Sequence, residues 1–114
     1  MTQSITVHTT SYFTRRVKKL FDNAMVRELE QYLAQFPHAG VVIPGLGGVR
    51  KWRVALGNKG KSGGARVIYY YHAPGQAVYL LTAYAKNTAD DLSPAEKKLL
   101  KDFVLTIQEK TNAP

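Results

Sequence analysis

Between Val49 and Lys86 the chain carries Arg50, Lys51, Arg53, Lys59, Lys61, Arg66 and Lys86, and from Gln31 to Ala89 it holds no Asp or Glu. Both signs of charge solvate a surface equally well, so they are usually mixed. Seven cations with no anion across a third of the chain point to a surface for a polyanion. The chemistry these residue types suit is the holding of a phosphate. Arginine offers a rigid two-pronged donor, and lysine offers a mobile ammonium that also moves a proton.

Spacing groups some of these residues. On an extended strand, Lys51 and Arg53 point to one face, roughly 7 Å apart, while Trp52, Val54 and Leu56 point to the core. Taken alone, that pair also fits an ordinary solvated sheet face. The run Gly60-Lys61-Ser62-Gly63-Gly64-Ala65-Arg66 contains Gly-Lys-Ser but is not a nucleotide phosphate loop. That motif needs a glycine five positions before its Gly-Lys pair and a helix after it; here position 55 is Ala and a strand pattern follows. The glycines either form a flexible connection or let backbone approach a phosphate, with Lys61 on the loop and Arg66 at the start of a strand. Lys86 ends the next apolar run. In an antiparallel meander that end returns to the neighbourhood of Arg66.

Other catalytic sets are poorly represented. The chain has no cysteine, which removes disulfides, thiolate zinc sites and a thiol nucleophile together. His8, His38 and His72 have no ligand spacing, so neither a metal site nor a Ser-His-Asp triad is expected. Tyr69 and Tyr71 alternate with Tyr70 across a strand. These rings, with Tyr79 and Tyr84, are mainly packing, with one or two on the basic face available to stack on bases.

The elements that must position these groups follow from periodicity and punctuation. Ser4 to Thr9 alternates as a short half-buried strand. Thr10 or Ser11 caps a first helix carrying Phe13, Val17, Leu20 and Phe21, and Asp22 caps a second carrying Val26, Leu29, Leu33 and Phe36. Pro37 ends the second helix. Residues 40–48 read as a loop, followed by strands over Val49–Leu56, Ala65–His72 and Ala77–Ala85, with Ala73-Pro74-Gly75-Gln76 as a hairpin turn. Ser93-Pro94-Ala95-Glu96 is a capping box with proline at the first helical position. It opens a last helix with Leu99, Phe103 and Ile107 in its packed stripe, and Leu100 and Val104 alongside. The order is β-α-α-β-β-β-α and the class α+β, with an antiparallel-rich sheet, an N-terminal helical hairpin and a C-terminal helix.

At 114 residues a single domain over 1–114 is expected. The formal charge of +8 is concentrated in the middle. Residues 1–30 carry five cations against three anions, and residues 90–114 carry four against five. The first residues lack the basic and apolar regions of a signal peptide, and no apolar run approaches the roughly 20 residues of a membrane span. A cytoplasmic protein is expected, with no membrane partner.

Taken together, RKWRV, GKSGGARVIYYY, YLLTAYAKN and DLSPAEKK in this order resemble the RelE/HigB toxins of bacterial type II toxin–antitoxin pairs, most closely the HigB-like branch. The resemblance covers nearly the whole chain and implies a RelE-like, microbial ribonuclease-type fold. The activity it implies is that of an mRNA interferase, an endoribonuclease that cuts mRNA in the ribosomal A site. It uses 2′-hydroxyl attack and needs no metal or other cofactor. By the same resemblance Lys51, Arg53, Arg66 and Lys86 are catalytic: Lys51 as general base, Arg66 holding the scissile phosphate, and Lys86 giving a proton to the leaving 5′-oxygen. Arg53 cannot be the base, because guanidinium stays protonated. Arg50, Lys59, Lys61, Asn87 and Tyr84 are the expected RNA-binding residues.

The implied partners are the ribosome, its mRNA and a cognate antitoxin of the helix-turn-helix, DNA-binding type, through which operator DNA is reached only indirectly. Two features depart from the familiar pattern: Asn87 stands where an arginine is usual, and no tyrosine follows Tyr84. Two other functions fit the same residues. One is a ParE-like gyrase-poisoning toxin on the same fold, and the other is a nucleic-acid-binding module without catalysis.

Overall fold

The computed structural model describes residues 4–55, 64–86 and 92–112. Strand β1 is Thr6–Thr9, helix α1 Ser11–Val17, helix α2 Asn23–Gln35 and strand β2 Val41–Val42. Strand β3 is Val49–Val54, β4 Ala65–His72, β5 Ala77–Ala85, and helix α3 Pro94–Asn112. A single 3₁₀ turn, Ala73–Gly75, joins β4 to β5, and Gln76 closes it in the left-handed conformation.

Each helix starts where a side chain takes up a backbone donor that the helix itself cannot satisfy. Thr10 Oγ1 accepts from the Phe13 N–H at 3.1 Å and donates to the Leu80 carbonyl at 2.9 Å, so one hydroxyl both caps α1 and ties it to β5. Asp22 Oδ1 accepts from the Met25 N–H at 2.8 Å and caps α2. The box at α3 is reciprocal: Ser93 Oγ accepts from the Glu96 N–H at 3.1 Å, and Glu96 Oε1 accepts from the Ser93 N–H at 3.2 Å.

The strands form a five-stranded sheet in the order β1-β5-β4-β3-β2. β3, β4 and β5 are the expected antiparallel meander, while β1 runs parallel to β5 at the edge. On one face, Phe13 and Val17 of α1 and Leu29 and Leu33 of α2 pack on Val54, Val67, Tyr69 and Leu80. On the other, Leu100 and Val104 of α3 pack on Val49, Ile68, Tyr70 and Leu81. β4 is therefore covered on both sides, and all of its residues except Tyr71 are buried.

Several details differ from the sequence expectations; Phe36, for one, lies beyond the end of α2 and is 52% exposed. The loop over 40–48 contains β2, whose Val41 and Val42 pair with Lys51 and Arg50; two residues are too few to give a periodic signal. β3 stops at Val54, and Leu56 lies outside the described residues. α1 ends at Val17, so Leu20 and Phe21 sit in the turn that follows, their N–H groups bonded to the Val17 carbonyl at 2.9 Å. The packed stripe of α3 is centred on Leu100 and Val104, and Leu99 is 52% exposed. Spacing of four fits both rows, and only the docking angle of α3 on the sheet selects between them.

Candidate active site

The β3–β4 register places Arg53 opposite Arg66, and Lys51 opposite Ile68. Residues directly opposite in an antiparallel pair share a face, so Lys51, Arg53 and Arg66 lie on the same face of the sheet. It is the face on which α3 packs, over Val49, Ile68 and Tyr70. The cations line a cleft of about 340 Å³ together with Ala39, Val41 and Trp52.

The three cations are held differently. Arg53 is exposed and Lys51 half-buried. Arg66 is only 8% exposed, with Nη1 donating to the Ala65 carbonyl at 3.3 Å. A buried guanidinium on a central strand is a fixed donor, and a half-buried lysine beside it is a more movable one. Such a set can grip the non-bridging oxygens of a phosphodiester and stabilise the extra negative charge that develops when the phosphorus is attacked.

The other expected residues divide into four groups. Tyr84 lies opposite Arg66 in the β4–β5 ladder, on the same face, but is 5% exposed and packs in the core beneath α3. Lys86 follows the end of β5, is half-buried, and its N–H donates to the Gly64 carbonyl at 3.0 Å, which places it at the Arg66 end of the sheet. Arg50 is not part of the cleft. Alternation turns it to the opposite face, where Nη1 donates to the Gly40 carbonyl at 2.7 Å and the His38 carbonyl at 3.4 Å. Lys59, Lys61 and Asn87 lie outside the described residues.

Support for the cleft wall was not evident from the cations themselves. Tyr69 Oη donates to the Pro37 carbonyl at 2.7 Å and accepts from the Gly40 N–H at 2.8 Å. Burial pushes the Tyr69 hydroxyl above its ordinary pKa, against opposing effects of the Gly40 hydrogen bond and the Arg50 charge. Arg50 grips the same short segment from its carbonyl side. Together they fix residues 37–40, and so Ala39, beside β3. The sequence signal for this is slight: a tyrosine facing inward by alternation, and a glycine before two β-branched residues. At Gly40 a Cβ would come within 2.9 Å of the Lys51 carbonyl oxygen, so only glycine lets the segment lie this close.

The fold and cleft together define a small α+β protein with a cationic cleft beside β3 and β4 of an antiparallel meander. The family model described as the RelE toxin of the RelE/RelB toxin–antitoxin system matches residues 5–113, and the chain belongs to this toxin family. Its fold is shared with solved structures of low identity. The toxin–antitoxin complex RelBE2 from Mycobacterium tuberculosis matches at 23% identity with a TM-score of 0.58, covering 73% of this chain and 99% of that one. An arginine-to-alanine double mutant of E. coli toxin RelE in the free state matches at 15% identity and a TM-score of 0.60, covering 86% and 100%. The isolated E. coli RelE toxin gives 13% and 0.51, covering 87% and 98%. Among the described residues, no helix is long and apolar enough to cross a membrane.

Proposed function

We propose that this toxin is a ribosome-dependent endoribonuclease that cuts mRNA in the A site. The observation that carries this reading is the convergence of Lys51 and Arg53 of β3 with Arg66 of β4 in one cleft. In the proposed step the ribose 2′-oxygen attacks the adjacent phosphorus in line as its proton passes to Lys51. The bond from phosphorus to the 5′-oxygen breaks, and Lys86 gives that oxygen a proton. The products are a 2′,3′-cyclic phosphate and a 5′-hydroxyl. Arg53 and Arg66 hold the non-bridging oxygens and stabilise their added charge. The chemistry uses orientation and charge, and asks nothing of a thiol or a carboxylate pair.

The whole chain, 1–114, acts in this proposal as one toxin domain in the cytoplasm, where ribosomes are. The Gly-Lys-Ser-Gly-Gly-Ala-Arg run supports placing it in the HigB-like branch. Its activity is held in check by a cognate antitoxin; the M. tuberculosis relative was solved as a toxin–antitoxin complex, which supports a protein partner of that kind here.

The test is induction of the wild-type chain and Arg66→Ala in a bacterial host, with sequencing of mRNA 5′ ends. Codon-phased cuts within translated messages are expected for the wild type, reduced about 10²–10³-fold in Arg66→Ala, the size of losing one transition-state donor. A folded Arg66→Ala chain that remains fully toxic would remove Arg66 from the site. Growth arrest with gyrase-linked DNA breaks and no mRNA cuts would replace the ribonuclease by a gyrase poison.

A further inference from the structure

A second surface adjoins the cationic cleft. Trp52 of β3 and Tyr32 of α2 are stacked, with ring centroids 5.1 Å apart and planes 11° from parallel. Phe36 extends the cluster, 4.9 Å from Tyr32. Tyr32 is 44% and Phe36 52% exposed. Tyr32, Phe36, Pro37, His38 and Ala39 line a shallow groove of about 380 Å³. Ala39 also lines the cationic cleft, as does Trp52.

The two surfaces meet at the β3 edge, where Ala39 lines both. β2 pairs only with Arg50 and Lys51, so it stops short of Trp52 and Arg53. A chain held at Arg66 and Arg53 can reach Phe36 and Tyr32 across Ala39 and Trp52. No Asp or Glu occurs from Gln31 to Ala89. The nearest anions along α2 are Glu30, two residues before Tyr32 and beside Phe21 and Val26 in a different groove, and Glu28, one turn before Tyr32 at the end of the row away from Phe36. Exposed flat rings beside an anion-free cationic groove are the two parts of a single-strand binding surface: cations for the backbone, rings for the bases.

We propose that Tyr32 and Phe36, backed by Trp52, form a base-stacking subsite for a nucleotide of the message flanking the cut. The inference rests on the ribonuclease function proposed above. Stacking on a ring is tolerant of base identity, so the subsite strengthens and positions the RNA without setting the codon.

The test is steady-state cleavage of mRNA on programmed ribosomes by the wild-type chain, Tyr32→Ala, Phe36→Ala and Tyr32→Phe. Messages carry a single abasic nucleotide moved stepwise along both sides of the cut. Loss of either ring is expected to raise KM about tenfold, the value of one stacked base, with kcat within about twofold. Tyr32→Phe keeps the ring and should behave as the wild type. At one message position the abasic change should cost as much as the ring loss, and the two together no more than either alone. Unchanged KM, or losses that add at every position, would overturn the subsite while leaving the ribonuclease intact. Ring variants that cut normally but escape neutralisation by the antitoxin would make the patch a protein-docking surface, and the RNA subsite falls. A wild-type chain that cuts no message removes the ribonuclease function and this inference together.

Discussion

Arg53 and Arg66 face each other across the β3–β4 ladder, directly opposite and on the same side of the sheet. Like charges at that position oppose pairing of the strands. An anion held between the two guanidinium groups, such as the phosphate of the proposed substrate, would offset that opposition.

Replacing Arg53 by threonine should therefore stabilise the fold. Threonine suits an exposed strand position and removes the repulsion. A gain of about 0.2–1 kcal/mol is expected in urea unfolding at low ionic strength. The gain should shrink as added salt screens the wild-type pair. Cleavage should fall in the same variant. A loss of stability at low salt would show that the opposed cations do not strain the sheet.

Gly64 should resist substitution. It has φ of +57°, and a Cβ there would collide with the Val54 carbonyl oxygen. Its own carbonyl accepts the Lys86 N–H, so it joins the ends of β3, β4 and β5. Gly64→Ala should cost more than about 1 kcal/mol. It should also reduce cleavage, because Arg53 and Arg66 both sit one or two residues from the collision. Urea unfolding and the ribosome assay measure the two effects separately.

Tyr69→Phe isolates the hydroxyl that holds the 37–40 segment. The buried Gly40 N–H would lose its acceptor and the Pro37 carbonyl its donor. The expected cost is about 1–3 kcal/mol, accompanied by faster hydrogen exchange at Gly40. Unchanged exchange there would mean that Arg50 alone secures the segment.

Glu96 makes the fold acid-sensitive. Burial opposes its ionisation, but hydrogen bonds from the Tyr12 hydroxyl and the Ser93 N–H, the Arg16 charge and the Ser93 hydroxyl together hold its carboxyl below the usual value. Tyr12 donates at 2.9 Å, and Arg16 Nη1 lies 3.2 Å away, so the same carboxylate caps α3 and ties it to α1. A depressed folded-state value gives stability that is complete above the unfolded pKa of about 4.3 and is lost as pH falls through the folded value. Glu96→Gln should be about 0.2–1 kcal/mol less stable than the wild type at neutral pH. The two unfolding curves should converge in acid. A constant difference from neutral pH down to about pH 3 would exclude the carboxylate as the source.

Much of this protein is readable along the chain because its signals are local. Asp22, Thr10 and the Ser93–Glu96 box mark helix starts by chemistry within three residues. β4 and β5 have the expected bounds because β-branched and aromatic runs end at Gly64, at the Ala73–Gln76 turn and at Lys86. β2 is the opposite case. Two valines carry no period, and they become a strand only because β3 presents Arg50 and Lys51 beside them.

The site shows the same division. Its cation content, and the alternation that groups Lys51 with Arg53, are properties of sequence spacing. Arg50 looks like one more cation of that series, yet strand alternation sends it to the opposite face, where two carbonyls receive it. That Arg66 lies opposite Arg53, that Tyr84 is buried beneath α3, and that Tyr32 stacks on Trp52 are consequences of register and helix docking. These contacts join residues 13 to 20 positions apart or more. Their geometry is set by how whole strands and helices align, and neighbouring residues along the chain carry no record of it.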